Sequence, residues 1–300
     1  MLKIAFDKKF VQPLPKGHRF PMEKYDLLPK QLLHEGTVDE MAFFSPNPID
    51  KSIVLKVHDQ KYIEDYYGLK ISPKDQRKTG FEHNTDLILR EQVIMEGTRR
   101  CAEFALKHGV SMNISGGTHH AFSNRGEGFC MLNDNAIAAQ WLLDNMKATK
   151  ILVIDLDVHQ GNGTAEIFQD EPRVFTFSMH GENNYPLKKE KSDLDIGLLD
   201  GTEDSSYIYK LEESLNNILT NFMPDFIFYQ SGVDIIETDK LGRLNVSIQG
   251  CKRRDEIVFQ TAKSLHVPIV VSMGGGYSEE IKYIIEAHAN TFRTAQSIFF

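Results

Sequence analysis

The stretch KILVIDLDVHQGNG, residues 150–163, changes character at Asp155. Before it, Ile151, Leu152, Val153 and Ile154 form a β-rich apolar run without polar alternation, which is how a parallel strand buried on both faces reads. After it, acidic and imidazole side chains enter at every second position: Asp155, Asp157 and His159. They alternate at the end of the strand, so the two-residue period is expected to turn all three toward one face.

Working outward, similar short apolar runs alternate with longer amphipathic ones, which is the signature of βαβ units. The runs LKIAF, SIVLKV, SMNIS, RVFTFSMH, DFIFYQSG and PIVVSMGGG read as strands. Helical patterns are expected near Met22–Leu33, Tyr62–Tyr67, Leu87–Leu106, Asn133–Met146, Asp204–Leu219 and Arg254–Leu265, with a closing helix from Ser278. The stretch from His180 to Gly201 reads as the longest irregular segment, and loops of that length in compact domains tend to be functional. No repeat or linker divides the chain, so residues 1–300 are expected to form one α/β domain. Its mostly parallel sheet, eight-stranded by the resemblance given below, would carry helices on both faces.

Composition narrows the class of function. The 300 residues are 41% hydrophobic and 25% charged, within the globular range. A formal net charge of −8 argues against a surface built to neutralise phosphates, so no direct nucleic-acid partner is expected. The run Lys188, Lys189, Lys191, interrupted by Glu190, reads as a solvated turn. No stretch approaches a membrane span and the start lacks a signal-peptide pattern, so the expectation is a soluble cytoplasmic protein. Cys101, Cys130 and Cys251 are odd in number and form no CxxC pair, which suits small buried hydrophobes in a reducing compartment.

In open α/β sheets, ligands bind beyond the carboxyl ends of the strands. Four of the runs lead into polar sequence there: SMNIS into GGTHH, KILVIDLD into VHQGNG, DFIFYQSG into VD, and PIVVSM into GGGY. Asp157 and His159 offer oxygen and nitrogen donors suited to zinc, and Asp234 is the natural third ligand from another strand, leaving a position for water. An isolated DxDxH has another reading, in which the carboxylates cap a following helix. Capping does not explain why His119, His120 and Tyr277 should follow other strands onto the same rim. A hydrolytic metal site needs a base and a carbonyl polariser, and these residues supply both.

The segments GGTHHAFSNRGEGFCMLND, VIDLDVHQGNGTAEIF, YQSGVDIIETDKLGRL and SMGGGY together resemble the histone deacetylase family, in order and in separation. The likeness runs from VHDQKYIEDY, residues 57–66, to the GGGY segment, and GTEDSSYIYKLEE most resembles the class IV branch. It implies the arginase/deacetylase fold and a zinc-dependent deacylase. Asp157, His159 and Asp234 would hold the zinc. His120 would be general base and then proton donor, His119 its electrostatic partner, and Tyr277 the hydrogen-bond donor to the oxyanion. Asp155 would orient His119; Asn162 would pair with His120 where many members carry an aspartate. A neutral amide raises the pKa of His120 less than a carboxylate would.

The same resemblance places Gly128, Phe129 and Gly275, with Tyr185 opposite, along a substrate tunnel. Taken singly, Gly128 could be a turn residue and Phe129 core. It also implies a structural potassium ion held by Asp155, the carbonyls of Asp157 and His159, and Ser178 with Met179. The expected substrates are acylated lysines of proteins or peptides, with acetyl or longer acyl groups, or small acylated amines such as polyamines. Two other classes compete. An arginase-like binuclear manganese centre would need carboxylates where Gly161 and Gly232 stand, and a non-catalytic acyl-lysine reader would not need Tyr277.

Overall fold

The computed structural model of the chain describes residues 1–300. In order, its elements are β1 (Lys3–Ala5), α1 (Lys24–His34), β2 (Phe43–Phe44), α2 (Lys51–Val54), α3 (Gln60–Tyr67), α4 (Pro73–Thr79), α5 (Thr85–His108) and β3 (Val110–Asn113). They continue with α6 (Asp134–Asp144), β4 (Ile151–Asp155), α7 (Asn162–Phe168), β5 (Val174–Gly181), β6 (Leu194–Leu198) and α8 (Asp204–Asn221). The chain ends with β7 (Phe226–Gln230), α9 (Ile248–Leu265), β8 (Ile269–Ser272) and α10 (Ile281–Phe299). One eight-stranded sheet runs in the order β2-β1-β3-β8-β7-β4-β5-β6. All of its pairings are parallel.

The unbroken apolar runs have the consequence expected of strands covered on both faces. Leu152 and Ile154 of β4 enter the larger hydrophobic core with Ile227 and Tyr229 of β7. Their alternates Ile151 and Val153 enter a second core with Phe226 and Phe228. Each fully buried apolar side chain of this size contributes roughly 1.5–3 kcal/mol on leaving water, so the middle of the sheet is a firm base.

The helices start where short polar side chains satisfy otherwise orphaned amides. Asn84 accepts from Leu87 N–H at 2.8 Å ahead of α5, and Asn133 accepts from Ala136 N–H at 3.0 Å ahead of α6. Ser247 does the same for Gly250 at 2.9 Å ahead of α9.

Three local expectations are corrected. SIVLKV is not a strand: Asp50 accepts from Ser52 N–H at 2.7 Å and starts the short helix α2, with Val54 buried. Apolar runs of this length suit either state, and the capping aspartate decides it. The stretch 180–201 is not wholly irregular, because Leu194–Leu198 pairs with β5 as the edge strand β6. Strand β4 ends at Asp155, so Asp157 and His159 lie on the turn beyond it and strand alternation does not aim them.

Candidate metal centre

The four strands that lead into polar sequence, β3, β8, β7 and β4, are neighbours in the sheet. They also end level: Asn113 is in register with Ser272, Ser272 with Gln230, and Gln230 with Asp155. Every following loop therefore departs from one edge, and residues as distant in sequence as His119 and Tyr277 reach one pocket.

Asp157, His159 and Asp234 come together with their ligand atoms within 4.8 Å of one another, all buried. His159 Nδ1 lies 3.0 Å from Asp157 Oδ1 and 3.1 Å from Asp234 Oδ2. Backbone amides fix the carboxylates from the other side. Gly275 N–H donates to Asp157 Oδ2 at 2.8 Å and Val158 N–H to Asp234 Oδ1 at 2.9 Å.

Two buried carboxylates facing one imidazole are costly without a cation. Burial would raise both acids; His119 and His159 overcome it at Asp157 and hold that carboxyl well below its usual range. At Asp234, burial and the Asp157 charge prevail and push the pKa up to about 7. Burial opposes protonation of His159, yet the two carboxylates its ring reaches push it up to about 10. The cup offers two oxygen donors and one nitrogen donor, a donor set that fits zinc.

Two histidines with different partners flank the cup. His119 Nδ1 is 2.6 Å from Asp155 Oδ2, and His120 Nδ1 is 2.6 Å from Asn162 Oδ1. Burial works against the cationic form of both. At His119 the charges of Asp155 and Asp157 outweigh it and raise the pKa. At His120 the neighbouring His119 and His159 add to it, holding the ring well below the usual histidine range. In the neutral ring, an Nδ1–H that donates to Asn162 Oδ1 leaves the Nε2 lone pair free.

The expected tunnel residues gather here as well. The Phe129 ring is 5.9 Å from Tyr277, and the Tyr185 ring meets His120 edge-on at 5.0 Å. The Tyr185 hydroxyl donates to Glu127 Oε2 at 2.7 Å. Gly128 has φ +53°, and a Cβ there would press on the His120 ring, so the glycine permits the close approach. Gly275 lines the same pocket, and a Cβ there would overlap the Asp234 carboxylate, so this glycine also walls the candidate metal cup. Tyr277 is kept protonated, burial and the charges of Asp234 and Asp157 raising its pKa well above the ordinary tyrosine value.

Of the expected potassium set, Asp155 already serves His119 and accepts from Asp157 N–H at 3.2 Å. Ser178 Oγ lies 2.9 Å from His180 Nδ1, and Met179 is buried. All three of these side-chain oxygens have protein partners, and the potassium expectation rests on the resemblance alone. A second metal has no carboxylate at Gly161 or Gly232; a Cβ at either glycine would run into Asp155 or Asp157.

Sequence reasoning missed two supports of the site. Asp239 Oδ2 accepts from Tyr277 N–H at 2.6 Å, and Lys24 Nζ donates to Gly274 O at 2.9 Å. Asp239 lies inside the quoted ETDKLGRL, where its role could have been sought. Lys24 gives no such signal, because a lysine on an amphipathic helix reads as exposed, yet this one is fully buried.

A family model described as the histone deacetylase domain matches residues 18–292. An uncharacterized protein of a Picosynechococcus species is 40% identical, covering 99% of each chain. Histone deacetylase 2 of Arabidopsis thaliana is 29% identical over 94% of this chain and 75% of its own. The crystal structure of an HDAC homolog from Aquifex aeolicus superposes with a TM-score of 0.84 at 25% identity, covering 99% of this chain and 84% of that one. An HDAC homolog complexed with SAHA gives 0.85 at the same identity and coverage. No helix is long and apolar enough to cross a membrane.

Proposed function

The chain belongs to the histone deacetylase family, and on that premise we propose that it is a zinc-dependent hydrolase that removes acetyl or longer fatty acyl groups from lysine side chains of proteins. The observation that carries this reading is the contrast between two adjacent imidazoles beside a buried oxygen and nitrogen donor cup. One is anchored to a carboxylate, the other to a neutral amide.

Asp157, His159 and Asp234 would hold the zinc, which when bound supplies Lewis acidity toward the amide carbonyl and toward water. His120, neutral with Nε2 free, takes a proton from the attacking water and later passes it to the departing amine. Beside it the Asp155-anchored His119 keeps positive charge where negative charge develops. The protonated Tyr277 hydroxyl donates to the substrate carbonyl oxygen as water adds and that oxygen takes up negative charge. Phe129 and Tyr185 would flank the aliphatic stem of the acyl-lysine, with Gly128 allowing it to pass close to His120.

The class IV likeness and an acidic chain favour an acylated, otherwise cationic protein segment as substrate. The deciding experiment compares kcat/KM of the zinc-loaded protein on acetyl-, octanoyl- and myristoyl-lysine peptides beside acetylated polyamines. Turnover of lysine peptides supports the proposal, and activity confined to polyamines would replace its substrate. A zinc-replete protein that binds acyl-lysine and hydrolyses none of these amides would be a reader, and the enzyme reading would fall.

A further inference from the structure

Arg254, on α9, is the largest fully buried side chain of the protein, and none of its hydrogen-bond partners lines the pocket. Its guanidinium grips backbone instead. Nη1 donates to Gly232 O at 2.5 Å and to Leu156 O at 3.3 Å, and Nη2 donates to Ser231 O at 3.3 Å. Asp255 balances the charge, with Oδ1 at 3.0 Å from Nε and 2.8 Å from Nη2. Asp255 is held in turn by the hydroxyls of Tyr229 at 2.5 Å and Thr291 at 2.7 Å.

The three carbonyls lie on the turns that carry two candidate ligands. Leu156 immediately precedes Asp157, while Ser231 and Gly232 lead into Asp234. Register pairing of β4 with β7 stops at Asp155 and Gln230, and the last backbone–backbone bond between the two segments is Leu156 N–H to Gln230 O at 3.2 Å. Beyond it the chains part to form the cup, and buried carbonyls there need a donor other than a neighbouring strand. A planar fork with five N–H groups can span both turns, which a lysine ammonium cannot. Buried ion pairs seldom repay their desolvation in stability, so a gain in geometry is the better account of this one.

We propose that the Arg254–Asp255 pair is a positioning device for the metal centre, setting the spacing and aim of Asp157 and Asp234 from behind through the carbonyls of Leu156, Ser231 and Gly232. This rests on the reading of Asp157, His159 and Asp234 as the zinc ligands. A merely structural pair would lower the melting temperature of the metal-free protein and leave metal affinity alone.

The test measures zinc affinity by chelator competition and the visible spectrum of the cobalt-loaded protein, beside the melting temperature of the metal-free form. Arg254→Lys keeps the charge and loses the fork. It is expected to bind zinc roughly 10–100-fold more weakly, as when outer partners of metal ligands are lost, and to shift the cobalt bands. A folded Arg254→Lys with parental affinity and spectrum overturns the proposal. If that variant does not fold, Tyr229→Phe, which loosens only Asp255, decides on the same terms: several-fold weaker zinc supports, unchanged zinc overturns. Asp157→Asn in the same assay tests the ligand reading separately, because parental zinc binding there would sink that reading whatever Arg254 does.

Discussion

His120 presents Nδ1 to Oδ1 of Asn162 at 2.6 Å, so the ring hydrogen-bonded to a neutral amide is the one whose basicity the reaction would use. Burial and the neighbouring His119 and His159 already hold this histidine low. Asn162→Asp would place a negative charge at hydrogen-bond distance, which raises a histidine pKa by roughly 1–3 units. The free-base form would then require a higher pH. The acid limb of kcat/KM should move to higher pH by about one unit or more, with the high-pH plateau retained. A pH profile superimposable on that of the parent would mean that His120 is not the base.

Tyr277 sits on the loop after β8, its amide fixed by Asp239 at 2.6 Å and its ring 6.4 Å from that of His159. Tyr277→Phe keeps this packing and removes only the hydroxyl. Loss of one oxyanion donor lowers kcat by roughly 10²–10³-fold. Steady-state kinetics with an acyl-lysine peptide should show that loss in kcat, with KM and zinc content little changed. A parental kcat would remove Tyr277 from the chemistry.

The metal cup depends on missing side chains as much as on the ones present. Gly275 gives its N–H to Asp157 and lies so close to Asp234 that a methyl group would overlap the carboxylate. Gly275→Ala should therefore displace Asp234 and lower zinc content and activity together. Gly201→Ala is the control for a glycine with open space around it, strained only by its φ of +75°. Metal analysis after dialysis against a weak chelator separates them, and a fully loaded Gly275→Ala protein would contradict the crowding.

These glycines mark where the sequence stops being legible. The run Ile151–Ile154 announces a doubly covered strand because its alternate residues feed two cores, and that periodicity is local. The histidine and aspartate motifs are legible because each follows such a strand, and the strands end level in the sheet. The two-residue alternation of Asp155, Asp157 and His159 is not what brings Asp157 and His159 beside Asp234, since the strand has ended before Asp157. Backbone bonds from Gly275 and Val158 aim the two carboxylates, and such bonds leave no pattern in a linear chain. Lys24 and Arg254 were hidden for the same cause: their partners are carbonyls contributed by distant segments.

His58 gives a prediction independent of zinc. It is fully buried in the motif VHDQKY, with Nδ1 2.9 Å from Phe122 O and Nε2 accepting from Asn133 N–H at 3.0 Å. Only the neutral ring protonated on Nδ1 satisfies both bonds. Burial correspondingly depresses its pKa from 6.5 to about 4. Because the unfolded chain binds this proton more readily, the contribution of His58 to stability is complete above pH 6.5 and is lost as pH falls toward 4. At 1.36 kcal/mol per unit the loss is about 3 kcal/mol. His58→Gln can still donate and accept but cannot titrate. Urea unfolding of the metal-free proteins from pH 8 to pH 4 should therefore show a shallower decline for the variant, by about that amount across the acid range. Parallel stability curves would show that His58 does not stay neutral in the fold.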